Sequence, residues 1–146
     1  MGIKVREFLN RIEELYPLEL QEEWDCSGLI NSPPLEEIAL VGVCLSLTSR
    51  IIDEAKSKGI GLILCHHPLF NEEPQEGEVG FQTKRNLELL SLLKASGIGA
   101  YAVHTNFDKV SMSVILAEKL ELIGLEVLDQ ETGLGVVGRL KTPMLL

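Results

Sequence analysis

Basic residues are scarce in this chain of 146 residues: 13 Lys and Arg stand against 22 Asp and Glu, a formal net charge of −9. A nucleic-acid platform needs a basic face, and no Lys/Arg cluster is present to build one, so the composition argues against a nucleic-acid partner. Long apolar runs are also missing. No stretch reaches the roughly 18 residues of a membrane-spanning helix. The first residues, Met1-Gly2-Ile3-Lys4-Val5-Arg6-Glu7, turn charged at once and lack the apolar core of a secretion signal. A cytoplasmic protein without a membrane partner is the expectation. There are only three cysteines, Cys26, Cys44 and Cys65, and no C-x-x-C, which speaks against a disulfide framework and a zinc ribbon. Cys44 and Cys65 lie in apolar runs and read as small buried hydrophobes. Gly133-Leu134-Gly135 lacks the G-x-G-x-x-G spacing and a following helix, so it is not a phosphate loop. No internal repeat or low-complexity segment is present.

What remains is ordinary globular material, 45% hydrophobic and 24% charged, of a length that suits one domain over residues 1–146 with a core of its own. Val5, Phe8, Leu9, Ile12 and Leu15 paint one face of a helix over 4–16, which Pro17 stops. Segments 24–29 and 31–34 read as loops. Residues 38–47 form a nearly continuous apolar run, the pattern of a strand buried on both faces. Thr48 or Ser49 can cap the helix that follows and Gly59 can end it. A second buried strand covers 61–65, and 70–80 is a loop rich in Glu, Pro and Gly. A helix over 83–96 carries Leu87, Leu90 and Leu93 and ends at Gly97; a third strand covers 98–103. A short helix over 113–122, with Leu116, Ala117 and Leu120 facing inward, precedes two short strands at 126–128 and 133–140. Strands alternating with helices predict an α/β fold, a mainly parallel three-layer α/β sheet with helices on both faces.

In such sheets, sites form beyond the carboxyl ends of the strands. His66-His67 follows the second strand, and His104 and Asp108 follow the third, so on neighbouring strands four good metal-ligating side chains converge on one edge. Each has a plain structural explanation taken singly: a loop feature for the His pair, a turn for His104, a helix cap or a solvated carboxylate for Asp108. Together they point to metal. Adjacent histidines at a strand end are expected to diverge, so each would serve a different ion, and the two oxygens of Asp108 can bridge them; a pair of ions is geometrically natural. Imidazole with carboxylate suits zinc, iron, manganese or nickel better than calcium. Trp24-Asp25-Cys26-Ser27-Gly28 reads first as an Asp turn closed by Gly28. Ser46 and Thr48 follow the first strand at the same edge, and capping the next helix explains them better than facing the site.

Trp24-Asp25-Cys26-Ser27-Gly28-Leu29, Ile63-Leu64-Cys65-His66-His67-Pro68-Leu69-Phe70, His104-Thr105-Asn106-Phe107-Asp108, Leu116-Ala117-Glu118-Lys119-Leu120 and Gly133-Leu134-Gly135-Val136-Val137-Gly138 carry a family pattern. The sequence resembles the NIF-three-like proteins, whose bacterial members are often labelled GTP cyclohydrolase I type 2. The resemblance implies a dinuclear centre of two divalent first-row ions, with His66, His67 and Asp108 as ligands and His104 as an acid/base group or a support behind them. It also implies a homo-oligomer, a hexameric ring with the metals facing an inner cavity. Cys26 stands where the family has Asn, and Ser46 where it has Asp near the end of the first strand. The family's second lobe, which returns a His and a Glu to the metals, has no counterpart here, so the resemblance covers the first lobe of that fold and leaves room for a separate C-terminal lobe as a partner. Two functions follow as expectations. One is a metal-dependent hydrolase acting on a nucleotide or phosphorylated metabolite. The other is a non-catalytic metal-binding or assembly protein, or a truncated family member lacking activity.

Overall fold

The computed structural model describes residues 2–70 and 81–142, the side chains of 81 and 82 excepted; the loop expected over 70–80 falls outside them from residue 71 on. Strand β1 (Ile3–Lys4) leads directly into helix α1 (Val5–Leu15), and a 3-10 turn follows at Leu18–Leu20. Then come β2 (Gly28–Asn31), β3 (Glu37–Ile38), β4 (Val41–Cys44), α2 (Ser49–Ser57), β5 (Leu62–Cys65), α3 (Phe81–Ser96) and β6 (Gly99–Ala102). The chain next coils continuously through α4 (Thr105–Phe107), a π-helical turn (Asp108–Met112) and α5 (Ser113–Lys119), and closes with strands β7 (Leu122–Val127) and β8 (Val136–Leu140).

The central sheet has the order β2-β6-β5-β4. Strands β4, β5 and β6 are parallel, with Cys44 beside Cys65 and Cys65 beside Ala102. Alternation along the strands sorts the two faces. Ile63, Cys65, Ala100 and Ala102 face α2 and α3, packing with Ile52, Ala55, Leu89 and Leu93. Tyr101 and Val103 face α1, packing with Ile12, Phe8 and Leu9. Helices therefore cover both faces, as the sequence predicts. Ile52 and Leu93 are each 0% exposed, and burying such a side chain is worth about 1.5–3 kcal/mol. Helix α2 starts where the Thr48 hydroxyl accepts a hydrogen bond from the Ile51 amide at 3.2 Å. Helix α3 ends at Gly97, whose φ of +66° only glycine adopts without strain. A side chain at Gly99 would strike Pro33 and Leu62; its bareness lets the 33–34 loop close over β6.

Several elements depart from the sequence reading. Gly28, Leu29 and Asn31, expected in loops, form with Ile30 an edge strand antiparallel to β6, with Gly28 beside Ala102. Tertiary pairing recruits a segment with no period of its own. The apolar run 38–47 breaks in two: Ile38 pairs with Ile3 in a separate ribbon, and β4 forms the opposite edge, leaving Val43 79% exposed. Among the described residues of α3, Asn86, Leu89 and Leu93 are buried, while Leu87 faces out. On α5 only Ala117 is buried, and Leu116 and Leu120 are exposed. Strands β7 and β8 form an antiparallel hairpin outside the central sheet.

Candidate metal centre

The first two histidines owe their position to the way β5 stops. The His66 amide is shared between the Cys44 and Leu45 carbonyls, at 3.1 and 3.2 Å, and the His67 amide donates to Leu45 as well, at 2.8 Å. That curls the backbone and ends the strand alternation. The two side chains therefore do not diverge as expected: their ring centroids lie 5.0 Å apart. His104 follows β6, its ring centroid 4.9 Å from that of His66 and 5.7 Å from that of His67. One ligating nitrogen from each of the three histidines lies within 4.8 Å of the others. Asp108 opens the π-helical turn, a distortion that recurs at functional sites, and its Oδ1 comes within 3.7 Å of His66 Nε2.

Each imidazole is held from behind through Nδ1. His66 Nδ1 lies 2.9 Å from the Val103 carbonyl, which can only accept, so this nitrogen carries the proton. His67 Nδ1 lies 2.7 Å from Ser46 Oγ. His104 Nδ1 lies 3.0 Å from Asp25 Oδ1. Metal-ligating histidines use this arrangement to fix tautomer and ring direction. His67 titrates below the ordinary imidazole range, because burial disfavours its charge and protonated His66 and His104 would repel it, with Asp108 opposing; the neutral form is the one that ligates metal.

Asp25 lies in the loop before β2, and its side chain is wholly buried. Besides His104 it accepts from the Thr105 amide at 3.0 Å, from the Thr105 hydroxyl, and from Ser27 Oγ at 3.0 Å. Burial by itself would raise its pKa; the hydrogen bonds from Thr105, His104 and Ser27 together outweigh that and hold it below the usual carboxylate range. Asn106, 0% exposed, ties the same corner together. Its Oδ1 accepts from the amides of His104 and Phe107, and its Nδ2 donates to the Tyr16 carbonyl. Trp24 stands at the rim, half exposed, its ring edge-on to His104.

The three histidines could hold a metal ion. With Nδ1–H donated to Val103, His66 turns its Nε2 toward the Asp108 carboxylate. Asp108 Oδ1 is itself buried and has no hydrogen-bond partner. Two lone-pair donors facing each other in a buried corner repel unless a proton or a cation lies between them.

All four sequence-derived candidates, His66, His67, His104 and Asp108, thus sit at one corner. Residue-by-residue reading gave less weight to Asp25 and Ser46. The Asp turn closed by Gly28 is not what forms: the Ser27 amide donates to Gln21 Oε1, the Asp25 carboxylate turns to His104 and Thr105, and the turn present runs from Glu22 to Asp25; Thr48 does cap α2. What separates Ser46 from Thr48 is the side chain's reach to His67, which has no signature in spacing.

The model of the family described as Duf34/NIF3 (NGG1p interacting factor 3) matches residues 3–146. A Ureaplasma parvum relative named GTP cyclohydrolase 1 type 2 homolog is 33% identical over 143 residues, covering 97% of this chain and 53% of that protein. A Lactococcus lactis relative of the same name is 34% identical over 141 residues, 95% of this chain and 54% of the relative. Among solved structures, reduced HcgD from Methanocaldococcus jannaschii superimposes with a TM-score of 0.81 at 30% identity, over 97% of this chain and 56% of that one. The chain spans about half the length of these relatives. Its matched residues include the strand ends that carry the histidine corner, and on this evidence the chain belongs to the Duf34/NIF3 family.

Proposed function

We propose that this chain binds divalent first-row metal through His66, His67 and Asp108, with His104 directed at the same place, and that it contributes this face of a two-ion hydrolytic centre. The observation that carries the reading is Asp108 Oδ1, buried and without a hydrogen-bond partner, 3.7 Å from His66 Nε2. Ions bound there supply Lewis acidity toward a substrate oxygen and lower the pKa of water. The residues do the rest. Val103 and Ser46 keep His66 and His67 turned inward, and Asp108 has a second oxygen with which to bridge. His104 Nε2 would either ligate or accept a proton at the same place. The name cyclohydrolase, borne by relatives, favours a nucleotide or another phosphorylated metabolite as substrate. Assembly into a ring of copies belongs to the same reading.

The exposed apolar side chains Leu116, Leu120 and Leu128 favour a second reading, in which metal supports assembly without turnover. The test is elemental analysis of protein purified without chelator, beside a His66→Ala/His67→Ala variant, followed by a turnover screen on nucleotides and phosphoesters. About two ions per chain, lost in the variant, is the expected result. Metal content near zero and unchanged in the variant would overturn it. Metal-dependent association without turnover on any substrate would favour the second reading.

A further inference from the structure

We propose that Asp25 is the positioning residue of His104: it fixes the Nδ1–H tautomer, so that Nε2 presents a lone pair to the His66/His67 corner. For its bearing on metal this rests on the reading above; the tautomer itself does not.

The argument is one of donor and acceptor counting. Asp25 Oδ1 faces His104 Nδ1, and an ionised carboxylate can only accept, so Nδ1 must donate. The other oxygen, Oδ2, faces the Thr105 amide, the Thr105 hydroxyl and the Ser27 hydroxyl. The hydroxyls can rotate; the amide cannot stop donating. Oδ2 must therefore remain an acceptor whatever replaces the carboxylate. This makes Asp25→Asn a directed probe. The amide oxygen has to occupy the Oδ2 place, which puts the NH2 group against His104 Nδ1. Two donors cannot face each other there. The imidazole resolves the conflict by moving its proton to Nε2, because the backbone amide has no such freedom. His104 then turns an N–H toward the corner, where it can neither ligate a cation nor take a proton.

The local structure supports this role over that of a simple turn. Asp25 is 79 residues from His104 in sequence, and its side chain is wholly buried. The His104 amide is held independently, by Ser27 Oγ at 3.1 Å and Asn106 Oδ1 at 3.0 Å. The amide of residue 104 thus has partners other than Asp25, which ties the next amide, Thr105, through Oδ2 and holds the His104 ring through Oδ1.

The test is side-chain nitrogen NMR of the full, 15N-labelled, metal-free chain at about pH 8, where an ordinary imidazole is neutral. His104→Ala assigns the signals. The expected result is Nδ1–H at His104 in the wild type and Nε2–H in Asp25→Asn, with His66 remaining Nδ1–H in both. Zinc titration should then show affinity lowered about 10–100-fold in Asp25→Asn, with little further loss when the substitution is added to His104→Ala. Nε2–H at His104 in the wild type overturns the proposal, and that measurement needs no variant to fold. An unchanged tautomer in folded Asp25→Asn overturns it equally. A wild-type chain that takes up no zinc yet shows Nδ1–H at His104 removes the metal reading and leaves the positioning role standing.

Discussion

The strand-end corner and the segment from α5 through the β7–β8 hairpin invert the usual rule about which side chains go inside. In the corner, Asn106 is 0% exposed and Asp25 is 8% exposed. In the segment from α5 onward, Leu120 is 65% exposed and Leu128 66%, and neither strand of the β7–β8 hairpin has a fully buried residue. The polar corner is buried because nearly every atom in it has a partner: backbone amides, hydroxyls and imidazoles point at Asp25 and Asn106. Buried polar groups are costly when unmatched and specific when matched. The hairpin shows the opposite case. Leu116 and Leu120 lie one turn apart on α5, a stripe that would suit a core, but among the described residues nothing covers it. Apolar character by itself does not bury a side chain; a facing layer does.

The comparison can be broken most severely by truncating one leucine in each region. Leu93→Ala, at the centre of the α3 face, should cost about 2–5 kcal/mol in urea unfolding. Leu120→Ala should stay within about 0.5 kcal/mol of the parent. Equal losses would show that the hairpin face is covered in solution. A middle-sized effect is expected where a single polar contact starts an element: Thr48→Ala removes the α2 cap and should lower stability by about 1 kcal/mol, while Thr48→Ser should restore most of it. No change on Thr48→Ala would mean the helix start is fixed by packing alone.

The smallest effect concerns the hairpin turn. Asp129 accepts from the Thr132 hydroxyl and the Glu131 amide, and these bonds hold its pKa below the ordinary carboxylate value. A carboxyl group with a lowered folded-state pKa stabilises at pH above its unfolded value and loses that contribution as pH falls through the folded one. Amide exchange at Glu131 and Thr132 should therefore speed up only below about pH 4, relative to the rest of the hairpin. An Asp129→Asn variant should lose the pH dependence. Fraying already present at neutral pH would show that the turn does not depend on the carboxylate.

Much of the sheet was legible in sequence because its causes are local. Uninterrupted apolar runs mark β5 and β6 as strands covered on both faces, and Pro17 and Gly97 end their helices wherever the helices pack. The histidine corner was legible too, since a parallel sheet sends the ends of successive strands to one edge. Edges were not. An apolar run has the same composition at the centre of a sheet and at its margin, so Val43 read as buried. Gly28, Leu29 and Asn31, with no alternation, read as loop. Leu87 fails for a related reason: a helix face is fixed by periodicity, but which neighbouring stripe meets the sheet depends on how the helix is rotated onto it.

Sequence alone was therefore enough for the helices α1, α2 and α3, the central strands β5 and β6, the mainly parallel α/β architecture and the strand ends that carry His66, His67, His104 and Asp108. Only the tertiary structure decided that His66 and His67 converge, that Ser46 backs His67 and that Asp25 backs His104. Periodicity records which face a residue occupies, because that repeats along a helix or strand. A hydrogen bond between residues 79 positions apart repeats nowhere in the chain, and comes into being only when sheet order and a loop before β2 bring the two groups within 3.0 Å.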